Sequence, residues 1–395
     1  MYKEIDNRPI RRIIHNARLF SPAGVSHPGW LLIEGKTIRA MGAGVPPAYE
    51  ANGTIESIDA QNKALLPGFI DLHVHGAMGH EVMDADPNGL QAMARFFASR
   101  GVTAFLPTTW TASRQNILSA IDAVGQAMGR IPGGSTVLGV HLEGPYLNAD
   151  KCGAQDARLI RRADRSEVGD FLDTGLVRLL ALAPEFSENL WLIDECVRRG
   201  ITVSLAHTAA GYEDVQAAVE RGARHVTHCY NAMVGLEHRR LGTVGAVMAF
   251  PQLCCEIIAD NIHVHPVAQK ILVDVKGTDG VVLVTDAIRG AGLPEGEYAI
   301  DERTVTIREG AVRLPNGTLA GSILTMDRAL KNIQAATGRP LAEVWQLSSL
   351  NAAWQIGISA IKGSLEVGKD ADIVLLDDDY QVAMTIAEGE MVYRK

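Results

Sequence analysis

The chain has 395 residues, 47% of them hydrophobic and 21% charged, which is the balance of a globular protein with a large core and excludes a disordered or fibrous chain. The formal net charge is −9, and no basic stretch is long enough to make a nucleic-acid surface. No run of about 18 apolar residues occurs, so no membrane span is expected.

This length exceeds one ordinary compact domain unless that domain is a barrel, and predicts one large domain with a smaller one. Residues 1–65 read as short strands and turns. "RRIIHNARLF", "WLLIEGKTIRAMG" and "TIESIDA" are apolar or alternating runs punctuated by Gly, Pro and Asn. Residues 364–395, with "DADIVLLD" and "YQVAMTIAEGEMVYRK", have the same character, and the two ends are predicted to build one small β domain.

Residues 66–363 differ. Eight strand-like runs, "GFIDLHVH", "GVTAFLPTT", "TVLGVHLEG", "LVRLLALAPE", "ITVSLAH", "RHVTHCYNA", "CCEIIADNIH" and "GVVLVTDA", alternate with helix-like segments. Among these are "PNGLQAMARFFASRG", "ENLWLIDECVRRG", "YEDVQAAVERG" and "PVAQKILVDVKG", which close on Gly as helix ends prefer. The expected fold is therefore α/β, a (β/α)8 TIM-like barrel. A β excursion interrupts it at about residues 296–318, in "GEYAIDERTVTIREGAVRLPNGT".

The five cysteines, Cys152, Cys196, Cys229, Cys254 and Cys255, form no CxxC and predict reduced thiols in a cytoplasmic protein. The N-terminal stretch lacks the long apolar core of a signal peptide.

Catalytic groups of a barrel sit at the C-terminal ends of its strands. His73 and His75 end the first predicted strand, Glu143 the third, and His207 and His228 follow the fifth and sixth. His263 follows the seventh, and Asp286 ends the eighth. Imidazole and carboxylate suit a borderline divalent ion. Residues i and i+2 of a strand share a face, so His73 and His75 can reach one ion. Alone, that pair also fits two ordinary polar residues at a strand end. Repetition over five or more strand ends makes metal binding the stronger reading. Asp286 fits either a helix cap or a general base that takes a proton from an attacking water. The segment "HCYNAMVGLEHRRLG" places Asn231, His238, Arg239 and Arg240 in one loop, either a solvated charged loop or an arginine site for phosphate. His15, His27, His80, His141 and His225 have no matched partners and read as structural.

The order HxH, "HLEGP", "LAHT", "THCYNAM", "IIADNIHV", "LVTDA" and "LAGS" resembles the N-acetylglucosamine-6-phosphate deacetylases of the amidohydrolase superfamily. The likeness runs from about residue 30 to the C-terminus. It implies a barrel joined to a small β-sandwich, in a homodimer, cleaving acetate from an amino-sugar phosphate. It implies a divalent metal, zinc foremost with iron, manganese or cobalt as alternatives, at Glu143, His207 and His228. His73 and His75 would form a second site, so one or two ions are open. The resemblance assigns Asp286 as catalytic base and then acid. Asn231, Ala232, His263, Leu319, Ala320 and Gly321 would line the sugar site, and Arg239 would reach the phosphate, often across the dimer.

Two departures stand out. Gln155 occupies a position that often holds a histidine, and is expected to donate to the acetyl oxygen. "HRRLG" replaces His-Arg-Glu-Pro-Gly, so Arg240 stands for an acid and Leu241 for a proline. Rival readings are the galactosamine epimer, an amidohydrolase of cyclic amides, and a non-catalytic sugar-phosphate sensor. The bridging lysine that a cyclic-amide hydrolase would want is absent from "LALAPE" and "ITVSLAH".

Overall fold

In a computed structural model, residues 11–47, 55–300 and 303–395 are described. The parts of the expected N-terminal β region at residues 1–10 and 48–54, and the centre of the excursion at 301–302, lie outside them.

Eight strands run parallel, each beside the next in chain order: Phe69–Val74, Val102–Thr109, Val140–Glu143, Val177–Leu182, Thr202–Leu205, His225–Val226, Cys254–Ile258 and Val281–Val284. Most of their residues are buried on both faces, as expected for parallel strands covered by helices. Just past the eighth strand, the Asp286 N–H donates to the His73 carbonyl (2.9 Å) and the His75 N–H donates to the Ala287 carbonyl (2.8 Å). The ends of the last and first strands therefore meet.

Helices fill the crossovers. Pro87–Ser99 begins where the Asp86 carboxylate accepts from the Asn88 N–H and proline occupies the first turn. Leu90, Met93, Ala94 and Phe97, spaced three and four apart, bury its inner stripe. Full burial of a side chain such as Phe97 contributes roughly 1.5–3 kcal/mol. Tyr212–Arg221 stops at Gly222, whose φ of 110° suits a residue without Cβ.

Both chain ends share one eight-stranded mixed sheet. Leu66 and its neighbours in Ala64–Pro67 pair with Ile373–Leu376 on one side, while Ala64 and Leu65 pair with the strand Arg11–Ser21 on the other. Alternation sorts the apolar residues: Ile14, Leu31 and Ile33 join one cluster, Ile13, Trp30 and Leu32 another. Buried Lys362 lies 2.8 Å from Asp370, 2.8 Å from Asp372 and 3.0 Å from Glu388, an ionic knot under this sheet.

The excursion comprises Gly296–Ile300, Arg303–Arg308, Ala311–Arg313 and Leu319–Ser322, so its last strand lies beyond the expected end at 318. Ser322 bridges to Ala287, which returns this sheet to the end of the eighth parallel strand. Among the described residues, no helix is long and apolar enough to cross a membrane.

Candidate metal centre and active site

Strand ends deliver the ligand atoms. Glu143 is the last residue of its strand, and its Oε1 lies 3.2 Å from His207 Nε2 and 3.1 Å from His228 Nε2. The two imidazole nitrogens are themselves 3.1 Å apart. A second group forms beside it: His73 Nε2 and His75 Nε2 are 3.1 Å apart, and Asp286 Oδ1 lies 3.5 Å and 3.3 Å from them. Glu143 touches both groups, since its Oε2 is 3.3 Å from His75 Nε2.

The hydrogen-bond bookkeeping calls for a cation. His207 Nδ1 donates to the Lys151 carbonyl at 2.8 Å, and His75 Nδ1 to the Thr108 carbonyl at 3.1 Å. His73 Nδ1 donates to Glu256 at 3.0 Å. With Nδ1 carrying the proton, each neutral ring aims a bare Nε2 lone pair at another nitrogen or a carboxylate. Such lone pairs repel unless positive charge lies between them. Without an ion, the surrounding acids draw a proton to His73 instead, so positive charge is favoured at the same place. Burial would lower the His73 pKa, yet Glu143, Asp286 and Glu256 hold it well above the ordinary value. Burial would raise Glu143, yet His73 and the bonds from His207 and His228 hold it well below the carboxylate range. The nitrogen and oxygen donors at both positions thus fit a divalent ion.

Backbone strain collects here. His207, His228 and Asp286 take φ of 43°, 30° and 48°, left-handed conformations that cost roughly 1–2 kcal/mol per residue without a glycine. These turns swing each side chain inward just after its strand ends. Asp286 stays ionised: burial would raise it, but His73 and His75 keep it below its usual value.

A cavity of ≈ 390 Å³ opens onto this centre, lined among others by Glu143, His207, His228, Asn231, Ala232, His263, Asp286, Leu319 and Gly321. His73 and His75 are buried behind it. His263 donates from Nδ1 to Asp260 at 2.6 Å, which leaves Nε2 for a ligand. Ala320 instead packs in an apolar cluster with Trp110.

The placements of Gln155, Arg239 and the histidines read as unmatched add detail to those expectations. Gln155 is buried and gives its amide N–H to Glu143 Oε2 at 2.6 Å, while its carbonyl accepts from the Thr111 N–H at 2.7 Å. The carbonyl and one N–H of that amide are engaged, so Gln155 orients Glu143, and its second N–H is the one left for an acetyl oxygen. Arg239 lies away from the metal groups, lining a separate cavity of ≈ 780 Å³ with Arg240, Glu237 and Tyr212. Four histidines read as unmatched have partners: His225 Nε2 lies 3.0 Å from Glu256, His141 Nδ1 donates to the Leu72 carbonyl at 3.1 Å, His15 Nε2 bonds the Ser57 hydroxyl at 3.1 Å, and His27 bonds the Asn62 side chain.

Three further residues escaped the sequence reading. Glu256 is fully buried, accepts from His73 and His225, and takes the backbone N–H of His228 at 3.1 Å. One carboxylate therefore ties a residue of each ligand group together. Its signal was an acid in the middle of the apolar run "CCEII". Trp110 and Arg313 also line the cavity, and nothing in their local pattern marks them.

Residues 64–392 match the model of the Amidohydrolase family. The chain belongs to the amidohydrolase family. Its sequence is 40% identical to an N-acetylglucosamine-6-phosphate deacetylase from Vibrio furnissii over 87% of this chain and 90% of the relative. It is 37% identical to an N-acetylgalactosamine-6-phosphate deacetylase from Escherichia coli O157:H7, over 83% and 87%. A solved structure of the Mycobacterium smegmatis N-acetyl-D-glucosamine-6-phosphate deacetylase, a variant in complex with N-acetyl-D-glucosamine-6-phosphate, superposes with a TM-score of 0.89 at 28% identity, covering 98% of this amidohydrolase and 100% of that chain. This is a metal-dependent family, and the two His and carboxylate groups described above are among the clusters of the described residues that could hold a metal, a third being His73, His141 and Glu256.

Proposed function

We propose that this amidohydrolase removes the acetyl group of N-acetyl-D-glucosamine 6-phosphate, giving acetate and D-glucosamine 6-phosphate. The observation that carries the reading is one cavity holding Glu143, His207, His228 and the ionised Asp286, with the polar residues Asn231, His263 and Arg313 also in its lining. The 40% identity to the Vibrio furnissii deacetylase supports the sugar, and the 37% identity to the galactosamine enzyme keeps the epimer as the second reading.

A divalent ion at Glu143, His207 and His228 would supply the Lewis acid that polarises the amide carbonyl and acidifies water. Zinc is the proposed ion because the donors are imidazole and carboxylate, and His73 and His75 are the proposed ligands of a second one. Asp286 then accepts the proton of the attacking water as the new C–O bond forms. It returns that proton to the amide nitrogen as the C–N bond breaks, because an amine leaves poorly without one. Gln155 and Glu256 keep Glu143 and His73 aimed. Asn231, Ala232, His263, Leu319 and Gly321 are the proposed sugar contacts, with Ala320 supporting them from behind.

The eight parallel strands are read as a closed barrel, supported by the bonds joining residues 73–75 to 286–287, and the mixed sheet as the small β domain. Arg239, exposed and outside the catalytic cavity, is assigned to the phosphate of a neighbouring subunit's site, which implies a homodimer. The five unpaired thiols favour the cytoplasm.

Acetate release from N-acetylglucosamine 6-phosphate, its galactosamine epimer, unphosphorylated N-acetylglucosamine and a cyclic amide tests the proposal. Fastest turnover of the glucosamine phosphate is expected. No release from either N-acetylhexosamine 6-phosphate would overturn it.

A further inference from the structure

Two large apolar side chains, Trp110 and Leu319, line the catalytic cavity together with the proposed ligands, and Trp110 is the one stacked on a ligand ring. Trp110 lies face to face with His75, ring centroids 3.8 Å apart and planes 12° from parallel. His75 Nε2 in turn is 3.3 Å from both Asp286 and Glu143. The indole is therefore one ring away from the groups that must meet the amide carbon.

The ring is also held firmly. Trp110 is only 9% exposed and packs in a cluster with Ala154, Ile288, Val305, Ile307, Val312 and Ala320. Its Nε1–H is buried without a partner among the described residues. An orphaned donor costs stability, so packing alone favours phenyl or leucine at this position over indole. What indole adds is size. In the cavity lining the polar groups Asn231, His263, Arg313 and Thr318 suit a sugar and its phosphate, whereas Trp110 and Ala154 offer only apolar surface. The substituent on the amide carbon is the one apolar part of the substrate, and belongs against that surface.

We propose that Trp110 sets the length of the acyl chain this amidohydrolase removes, admitting acetyl and excluding propionyl and longer groups. The inference rests on the deacylase reading above and names its acyl specificity. One methylene too many against a rigid wall reduces kcat/KM by about 10–200-fold.

The test measures kcat/KM for N-acetyl-, N-propionyl- and N-butanoyl-glucosamine 6-phosphate with the parent, Trp110→Phe and Trp110→Leu, and the metal content of each protein. Trp110→Phe keeps a ring on His75, and so separates wall size from support of the ligand. The parent is expected to prefer acetyl over propionyl by at least about 10-fold. The propionyl-to-acetyl ratio should rise through Phe to Leu by about 10-fold or more. A purely structural Trp110 would lower all three substrates together and leave the ratio fixed, which overturns the inference. A parent that accepts propionyl as well as acetyl overturns it too while leaving the deacylase reading intact. A parent inactive on every acyl sugar overturns both.

Discussion

Replacing Glu256 with glutamine isolates the support beneath the metal groups. Its two carboxylate oxygens take three donors: His73 Nδ1 at 3.0 Å, the His228 N–H at 3.1 Å and His225 Nε2 at 3.0 Å. Glutamine keeps the shape but offers one oxygen and one NH2. If that oxygen stays with His225, the NH2 faces His73 Nδ1 and the His228 N–H, and donor meets donor. His73 can relieve this only by moving its proton to Nε2, which removes the lone pair aimed at the ion. A hydrogen bond to a charged group is worth about 1.5–3 kcal/mol. Losing one at His73 corresponds to a factor of roughly 10–100 in metal retention, the range typical of groups that orient ligands. Elemental analysis during timed exposure to a chelator reads this directly, with acetate release recorded on the same samples. Glu256→Gln should lose metal roughly 10–100-fold more readily and activity in proportion. Parent-like metal content and chelator resistance would refute the claim that Glu256 aims these ligands.

Asp286→Asn should lower kcat by about 100- to 10,000-fold while metal at Glu143, His207 and His228 persists in elemental analysis. Lys362→Met leaves the carboxylates of Asp370, Asp372 and Glu388 without their buried partner, and should destabilise the protein by about 3–5 kcal/mol in denaturant unfolding. His141 is buried, and burial together with the neighbouring His73 pushes its pKa down to about 3. The unfolded chain therefore binds the proton first, so this residue costs stability as pH falls from about 6.5 towards 3. Denaturant midpoints of the metal-free protein across that range should fall less steeply in His141→Asn; equal slopes would refute the assignment.

The residues of the candidate metal groups were legible because they stand at the ends of parallel strands. Glu143, His207, His228 and Asp286 each interrupt or follow an apolar run, and HxH spacing puts His73 and His75 on one face of a strand. What the sequence could not show is which side chains meet across the fold. Gln155 stands 12 positions from Glu143, and only the path of the intervening loop reveals that its amide bonds that carboxylate. Glu256 sits 183 positions from His73, on a strand that does not pair with the His73 strand, and only the folded arrangement brings their side chains together. His141 and His225 looked unpartnered because their partners lie on other strands. Arg239 lies only 11 positions after His228, yet the loop carries it into a different cavity. The two chain ends shared a visible β character, but their meeting in one sheet depends on Ala64–Pro67 pairing with Ile373–Leu376.

In the proposed reaction, metal held by Glu143, His207 and His228 is needed to deacetylate N-acetylglucosamine 6-phosphate. Its most direct test is acetate release from that substrate by the purified protein, measured before chelation, after chelation, and after one divalent ion at a time is restored. Activity is expected to disappear with the metal and to return with zinc or another of the candidate ions, in step with the metal bound. Full activity in protein shown by elemental analysis to be metal-free would contradict it.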